Sequence, residues 1–165
     1  MRKWMTTSSD PALTLLRGVV GVVFFAHGAQ KMLGWFGGPG FSGTMKGFSD
    51  FLHIPAPLAF LAIAAEFFGG LGLVAGLFTR VAASGIAATM AVAVSLVHLP
   101  NGFFMNWTGA QKGEGFEYHL LAVAAAAVLI LRGGGAWSLD RLLSKVKPAV
   151  RLAETASRPG PRAAA

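Results

Sequence analysis

The chain has 165 residues, of which 54% are hydrophobic and 13% are charged, and its mean hydropathy is +0.59. A soluble domain carries about 25% charged residues, so this composition predicts a protein whose surface largely faces lipid. In a soluble protein, the net charge of +7 would suggest binding to nucleic acid. Here, however, the basic residues lie outside the apolar segments. Membrane orientation and anionic lipid explain them better, and we expect no nucleic-acid partner.

Four apolar segments approach the length of about 20 helical residues that is needed to cross a bilayer. In chain order they are residues 13–33, 57–78, 81–99 and 116–131. The fourth is the shortest. The sequence therefore predicts an all-α membrane protein, a four-transmembrane-helix antiparallel bundle over residues 11–143, preceded by an N-terminus at 1–10 and followed by a basic, disordered tail at 144–165.

The basic residues are divided unequally between the two sides of this predicted topology. One side carries eleven: Arg2, Lys3, Arg17, Arg80, Arg132, Arg141, Lys145, Lys147, Arg151, Arg158 and Arg162. The other side carries three: Lys31, Lys46 and Lys112. Because cytoplasmic loops carry the excess of Lys and Arg, the sequence predicts a multi-pass protein of a bacterial inner (plasma) membrane with both termini in the cytoplasm.

The first outer loop, between the first and second segments, is long and only weakly polar. Within it, Met45, Phe48, Phe51 and Leu52 recur at helical spacing. This pattern predicts a short interfacial helix lying at the headgroups. A lid over a pocket in the outer half of the bundle is the alternative, and both can hold together.

Ionisable residues in the outer half are the candidates for proton handling or ligand binding, because a charge within lipid is costly and usually turns inward. They come from all four predicted helices: His27, Lys31, Glu66, His98, Glu117 and His119. Glu66 is the deepest carboxylate, and its expected partner is Lys31 or a histidine. Its pairing is either structural or functional. Glu117 is an alternative partner of Lys31 near the surface.

The cofactor stays open at this stage. Three histidines could ligate a metal or haem iron, but they have no ligand motif around them, and we expect neither. A quinone needs hydrogen-bond donors for its carbonyl groups and apolar walls for its ring, which His27, Lys31, His98 and the aromatic loops can supply. The sequence holds no catalytic motif, so it leaves open whether the protein is an enzyme.

Three polar residues near the inner side are predicted to be structural: Arg17, Arg80 and Asp140. Arg17 lies near the inner end of the first helix. It either extends to the cytoplasmic headgroups or bonds to Asp140 or to carbonyl groups that follow the fourth helix.

Several motifs, taken together, resemble the DoxX family of small four-helix bacterial inner-membrane proteins. They cover residues 13–143 and include Arg17, His27-Gly28-x-x-Lys31, Gly34-Trp35-Phe36-Gly37-Gly38-Pro39-Gly40, Glu66-x-x-Gly69-Gly70, Thr79-Arg80, His98-Leu99-Pro100-Asn101-Gly102, Glu117-Tyr118 and Ser138-Leu139-Asp140. The resemblance implies a membrane subunit of an oxidoreductase or oxidative-stress system, with a redox partner protein and a quinone. It also implies roles for Arg17, His27, Lys31, Glu66, Arg80, Glu117 and Asp140.

Two other functions fit the same residues. A non-enzymatic scaffold or chaperone-like subunit would use the polar pairs only for folding. A small transporter would need a homo-oligomer, because four helices leave little room for a pathway. The lipid bilayer is the expected partner in every case.

Overall fold

The computed structural model describes residues 5–144, and every regular element within that range is helical, with no strand. The predicted tail lies outside the described residues from position 145 onward, as do residues 1–4. The α-helices that lie wholly within the described residues are α1 (Pro11–Leu33), α2 (Gly40–Asp50), α3 (Ala56–Ala75), α4 (Thr79–Ala93) and α5 (Glu117–Arg132). Beyond α4, the chain continues through a π-helical turn at Val94–His98 and a 3₁₀ turn at Leu99–Asn101.

Local chemistry fixes both ends of α1. The Asp10 Oδ1 atom accepts a hydrogen bond from the Ala12 amide at 2.8 Å, and Pro11 occupies the first helical position. A carboxylate cap and a proline at that position both favour a helix start. At the other end Gly34 has a φ of +74°, the left-handed conformation that glycine adopts without strain. The chain then turns toward α2.

Helix α3, which corresponds to the second predicted apolar segment, ends at Ala75, three residues before the predicted boundary at Phe78. Gly76 adopts a φ of +67°, and the Leu77 amide donates back to the Gly72 carbonyl oxygen at 2.8 Å. This backbone pattern closes a helix at glycine. Because α4 already starts at Thr79, a very short turn joins α3 to α4 and makes the two helices antiparallel neighbours.

Glycines bring α1 and α3 into close contact along antiparallel axes. A Cβ atom on Gly21 would lie 2.7 Å from the Val74 amide nitrogen, and one on Gly28 would overlap the backbone of Phe67. In lipid, such close backbone packing is a main source of helix association. On the far side α4 packs against both α3 and α5. The residues at the centre of the core are Phe24, Leu73, Ala83, Ile86, Met90, Ala122, Ala126 and Leu129.

Within the part of the chain that the structure describes, three helices are long and apolar enough to cross a membrane: Pro11–Leu33, Ala56–Ala75 and Thr79–Asn101. Their outward faces are rich in exposed leucine, valine and phenylalanine, which suits contact with lipid rather than water. The fourth, α5, has 16 residues, about 24 Å of helix. Its crossing of the bilayer stays a prediction, as does the interfacial position of α2, although a helix does form at that place in the sequence.

Candidate functional site

Two of the candidate residues predicted from the sequence, Lys31 on α1 and Glu66 on α3, form an ion pair. Lys31 Nζ lies 2.5 Å from Glu66 Oε2. Glu66 stands in the middle of α3 and is only 4% exposed, whereas the Lys31 side chain is partly exposed near the end of α1. Of the two kinds of partner expected for Glu66, the structure has the lysine. The pair thus places a buried carboxylate next to an ammonium group that is still accessible.

His27 and Tyr118 stand beside this ion pair. His27 precedes Lys31 by one helical turn, and its ring centroid lies 6.5 Å from that of Tyr118 on α5. Tyr118 was not among the site residues predicted from the sequence. The available signal was that it is the single tyrosine of the chain and sits between Glu117 and His119.

His98 and His119 form a second contact, between the end of the α4 region and the start of α5. Their ring centroids are 4.0 Å apart, with the ring planes inclined at 40°. His119 is 6% exposed, and its Nδ1 atom is buried without a hydrogen-bond partner. His98 Nδ1 donates to the carbonyl oxygen of Glu114 at 2.9 Å. Tyr118 packs edge-on against His119 at 5.5 Å between centroids, which links the two contacts.

Glu117 is not the partner of Lys31. Its Oε1 atom accepts a hydrogen bond from the Met105 amide at 2.8 Å, within the loop that joins the α4 region to α5. Glu114 holds the same loop, because its Oε2 atom accepts from the Asn106 amide at 2.6 Å. The reason is geometric: Glu117 is the first residue of α5 and faces the loop that folds back over it. The structure therefore gives Glu117 a loop-anchoring position.

The histidines do not converge as a ligand set. Within residues 5–144, no group of three or more His, Asp or Glu side chains is arranged to hold a metal ion. His98 and His119 are in direct contact, and His27 is associated instead with Tyr118.

Arg17 lies at the opposite end of the helices and is 4% exposed. Its guanidinium donates to the carbonyl oxygens of Leu73 at 2.6 Å, Val74 at 2.5 Å and Gly134 at 2.7 Å, and also to that of Trp137. Of the alternatives left open by the sequence, the structure has the bonds to carbonyl groups after α5. The same side chain also supplies donors to the Leu73 and Val74 carbonyl groups in the last turn of α3, where the regular hydrogen-bond pattern of the helix ends.

Asp140 caps α4 from a distant part of the chain. Its two carboxylate oxygens accept the amides of Phe78 at 2.8 Å and Thr79 at 2.9 Å, and it is 1% exposed. A carboxylate at a helix N-terminus satisfies free amides and suits the helix dipole. Arg80 donates to the Ile130 carbonyl oxygen at 2.5 Å and to that of Thr6 at 3.1 Å. Arg17, Arg80 and Asp140 thus hold together the ends of the helices that lie opposite the Lys31–Glu66 pair.

Long apolar helices with lipid-facing outer surfaces and inward-turned polar groups define an integral membrane protein. The family model DoxX matches residues 12–99, which is more than half of the chain, and the chain belongs to the DoxX family. The inner membrane protein YqjF of Escherichia coli is 30% identical over 141 residues, covering 86% of this chain and 98% of the relative. A Bacillus subtilis protein named putative oxidoreductase CatD is 29% identical over 143 residues, covering 87% and 95%.

No solved structure is significantly similar to this chain. The site geometry described above therefore stands on this molecule's own contacts.

Proposed function

We propose that this protein is the membrane subunit of an oxidoreductase or oxidative-stress system and that it binds a quinone at the outer polar residues. The observation that carries the proposal is the Lys31–Glu66 ion pair, in which a buried carboxylate meets a partly exposed ammonium group beside His27 and Tyr118. In a protein embedded in lipid, an ionisable pair at this depth is by default a site for a substrate or for protons.

The residues have the chemistry that a quinone head group requires. Each quinone carbonyl oxygen accepts hydrogen bonds, and the Lys31 ammonium, the Tyr118 hydroxyl and a His27 ring nitrogen are donors. Aromatic rings pack near the same end of α1, where Phe25 contacts Phe67 at 5.4 Å and Trp35 at 6.3 Å between centroids. Few polar groups next to apolar walls are typical of a small-molecule site. Hydrophobic quinones partition into the bilayer, so the ligand arrives from the lipid.

Glu66 supplies the group that handles protons. Conversion of a quinol to a quinone releases two protons and two electrons, and the protons need an acceptor near the ring oxygens. Glu66 is the buried carboxylate nearest to Lys31, and its hydrogen bond to the ammonium can be exchanged for one from the ligand. It would accept the two protons one after the other, each passing on to water at the partly exposed Lys31 side chain. Electrons would pass to the redox partner protein of the system. The names of two relatives, an oxidoreductase and an inner membrane protein, support this assignment.

The proposal includes the membrane topology. Four helices, α1, α3, α4 and α5, cross the inner membrane as an antiparallel bundle over residues 11–143, with both termini in the cytoplasm and α2 at the outer interface. The support is the eleven-to-three division of basic residues between the two sides. Because α5 is short, it stands nearly upright or draws on the loop residues that precede it.

The test is quinone binding by the full chain, purified in mild detergent. Lipid extracts of the wild type should contain quinone in excess over a control membrane protein, and added decylubiquinone or a short-chain menaquinone should raise Tm. The Glu66→Gln variant should keep its fold and lose most of the rise. Asp50→Asn, on the exposed side of α2, is the matched control and should behave like the wild type. No bound quinone and no rise in Tm would contradict the proposal.

A scaffold or chaperone-like role is the second candidate, and one observation favours it. Lys31 and Glu66 already satisfy each other, as a purely structural pair would. If Glu66→Gln fails to accumulate while quinone has no effect on the wild type, the pair serves folding alone. If Glu66→Gln accumulates normally but loses quinone binding, the scaffold role is excluded for this pair.

A further inference from the structure

The loop of residues 102–116, between the α4 region and α5, is held by a small number of identifiable contacts. The Glu117 carboxylate accepts the Met105 amide, and the Glu114 carboxylate accepts the Asn106 amide. The Gly115 amide donates to the Phe104 carbonyl oxygen at 3.2 Å. The apolar side chains of this loop, including Phe104 and Trp107, are exposed rather than packed into a core. The loop's position therefore depends on its polar anchors.

The His98–His119 pair contacts this loop and connects its anchors to α5. His98 donates to the Glu114 carbonyl oxygen at 2.9 Å, as does the Asn101 side-chain amide at 3.2 Å, and the two bonds hold the residue whose carboxylate accepts the Asn106 amide. His98 in turn stacks on His119, whose ring is buried at the start of α5. The stack thus connects the loop to the helix through one continuous set of contacts.

In the closed stack the buried His119 ring has no partner for a second proton. His119 Nδ1 is buried without any acceptor, so a proton there would lack a hydrogen bond. Two protonated rings with centroids 4.0 Å apart would also repel each other. When the stack opens to water, both penalties disappear. Opening is therefore coupled to proton uptake, and acid favours the open arrangement.

Other charged groups surround the pair and bear on its response to pH. Tyr118 of α5 packs on His119, His27 of α1 contacts Tyr118, and Glu114 and Glu117 hold the loop, whereas Lys31 of α1 and Glu66 of α3 lie beyond His27 and Tyr118. The pH range from 5.5 to 7.5 lies above the ordinary pKa of carboxyl groups, about 4, and includes the ordinary pKa of imidazole, about 6.5. Titration in this window therefore reports on histidines.

We propose that the His98–His119 stack is a pH-responsive latch that holds the 102–116 loop closed near neutral pH and releases it when the adjoining aqueous phase becomes acidic. The latch does not depend on the quinone site, because it rests on contacts between the α4 region, α5 and the loop. It would make access to the outer end of the helices depend on the pH of the compartment on that side of the membrane.

The test is hydrogen–deuterium exchange of the full chain in detergent, analysed for the loop amides and corrected for intrinsic exchange. If one proton is taken up on opening, protection should fall about tenfold between pH 7.5 and pH 5.5 in the wild type. His119→Phe keeps a ring in the stack, but the new side chain cannot titrate. The loop amides of this variant should therefore show the same protection from exchange at pH 5.5 and at pH 7.5. His119→Leu, which also cannot titrate and leaves the His98–Glu114 hydrogen bond in place, tests the same point if His119→Phe does not fold.

The matched control is His53→Asn, in the turn between α2 and α3. His53 has a φ of +52°, which asparagine tolerates, and it is not part of the stack. This variant should retain the tenfold pH dependence. Loop protection that is constant with pH in the wild type would overturn the proposal, as would an unchanged pH dependence in the His119 variant.

Discussion

Glu66 on α3 and Lys31 on α1 are 35 positions apart in the sequence and meet at 2.5 Å in the folded chain. The glycine contacts between the two helices make this meeting possible. Gly28, one turn before Lys31, lies against the backbone of Glu66 and Phe67, and Gly70, one turn after Glu66, lies against Phe25. The close approach of α1 and α3 at these glycines therefore brings Lys31 within reach of Glu66.

Removing the lysine alone should destabilise the protein strongly. Lys31→Met leaves the Glu66 carboxylate buried without its counter-charge, and breaking a buried pair in this way costs about 3–5 kcal/mol. Because the Lys31 side chain is 24% exposed, we expect the lower end of that range. The double variant Lys31→Met/Glu66→Leu should recover most of the loss. The measurement is the free energy of unfolding in mixed micelles; equal losses in the single and double variants would show that the pair is not coupled.

Gly28→Ala should disturb the α1–α3 interface. An added Cβ would overlap the backbone of Phe67, and such overpacking costs about 1–3 kcal/mol. Gly18→Ala on the same helix is the control, because nothing lies within 4 Å of its added Cβ. That control should be as stable as the wild type or more stable by up to about 1 kcal/mol. Thermal unfolding of the two variants side by side checks this; a similar loss in both would contradict close packing at Gly28.

Asp140→Ala should cost more than loss of an ordinary helix cap. It leaves the buried Thr79 amide without an acceptor, at about 1–3 kcal/mol, and also removes the acceptor of the partly buried Phe78 amide. Asp10→Ala removes the exposed cap of α1 and should cost only about 1 kcal/mol. Protease resistance of the α3–α4 turn, measured together with Tm, distinguishes them. A loss no larger for Asp140 than for Asp10 would refute a capping role across the fold.

Arg17→Lys should also be poorly tolerated. A guanidinium reaches four carbonyl oxygens in different directions, and an ammonium on a flexible stem cannot reproduce that geometry. Each lost bond to a charged donor is worth about 1.5–3 kcal/mol, so we expect a marked drop in accumulation and Tm. Arg132→Lys, on an exposed side chain at the end of α5, should have little effect. Wild-type behaviour of Arg17→Lys would mean that these bonds contribute nothing.

Much of the fold is predictable because hydropathy and helix-end signals act locally. Asp10-Pro11 and Gly34 define α1 within two residues of the prediction, since a cap, a proline and a left-handed glycine each work through neighbouring atoms. The end of α3 was misplaced by three residues. The apolar run continues to Phe78, but Gly76 ends the helix through backbone bonds that hydropathy does not register.

The sequence indicated which polar residues face the interior better than it indicated which of them contact each other. Burial cost in lipid indicates that Glu66 and Lys31 face inward, and the structure pairs them. The same argument assigned Glu117 to this group, yet Glu117 anchors the loop at Met105. Which carboxylate meets which cation depends on loop geometry between distant elements. Likewise, nothing local to Asp140 indicates that it caps a helix beginning 61 positions earlier.

The most direct test of the quinone site is photolabelling with an azidoquinone, followed by mass spectrometry of the labelled peptides. The proposal predicts labelling of residues around His27 to Lys31 and around Tyr118, reduced by excess unmodified quinone and by Glu66→Gln. Labelling confined to the inner end near Arg17 and Asp140, or spread evenly over lipid-facing positions without competition, would contradict it.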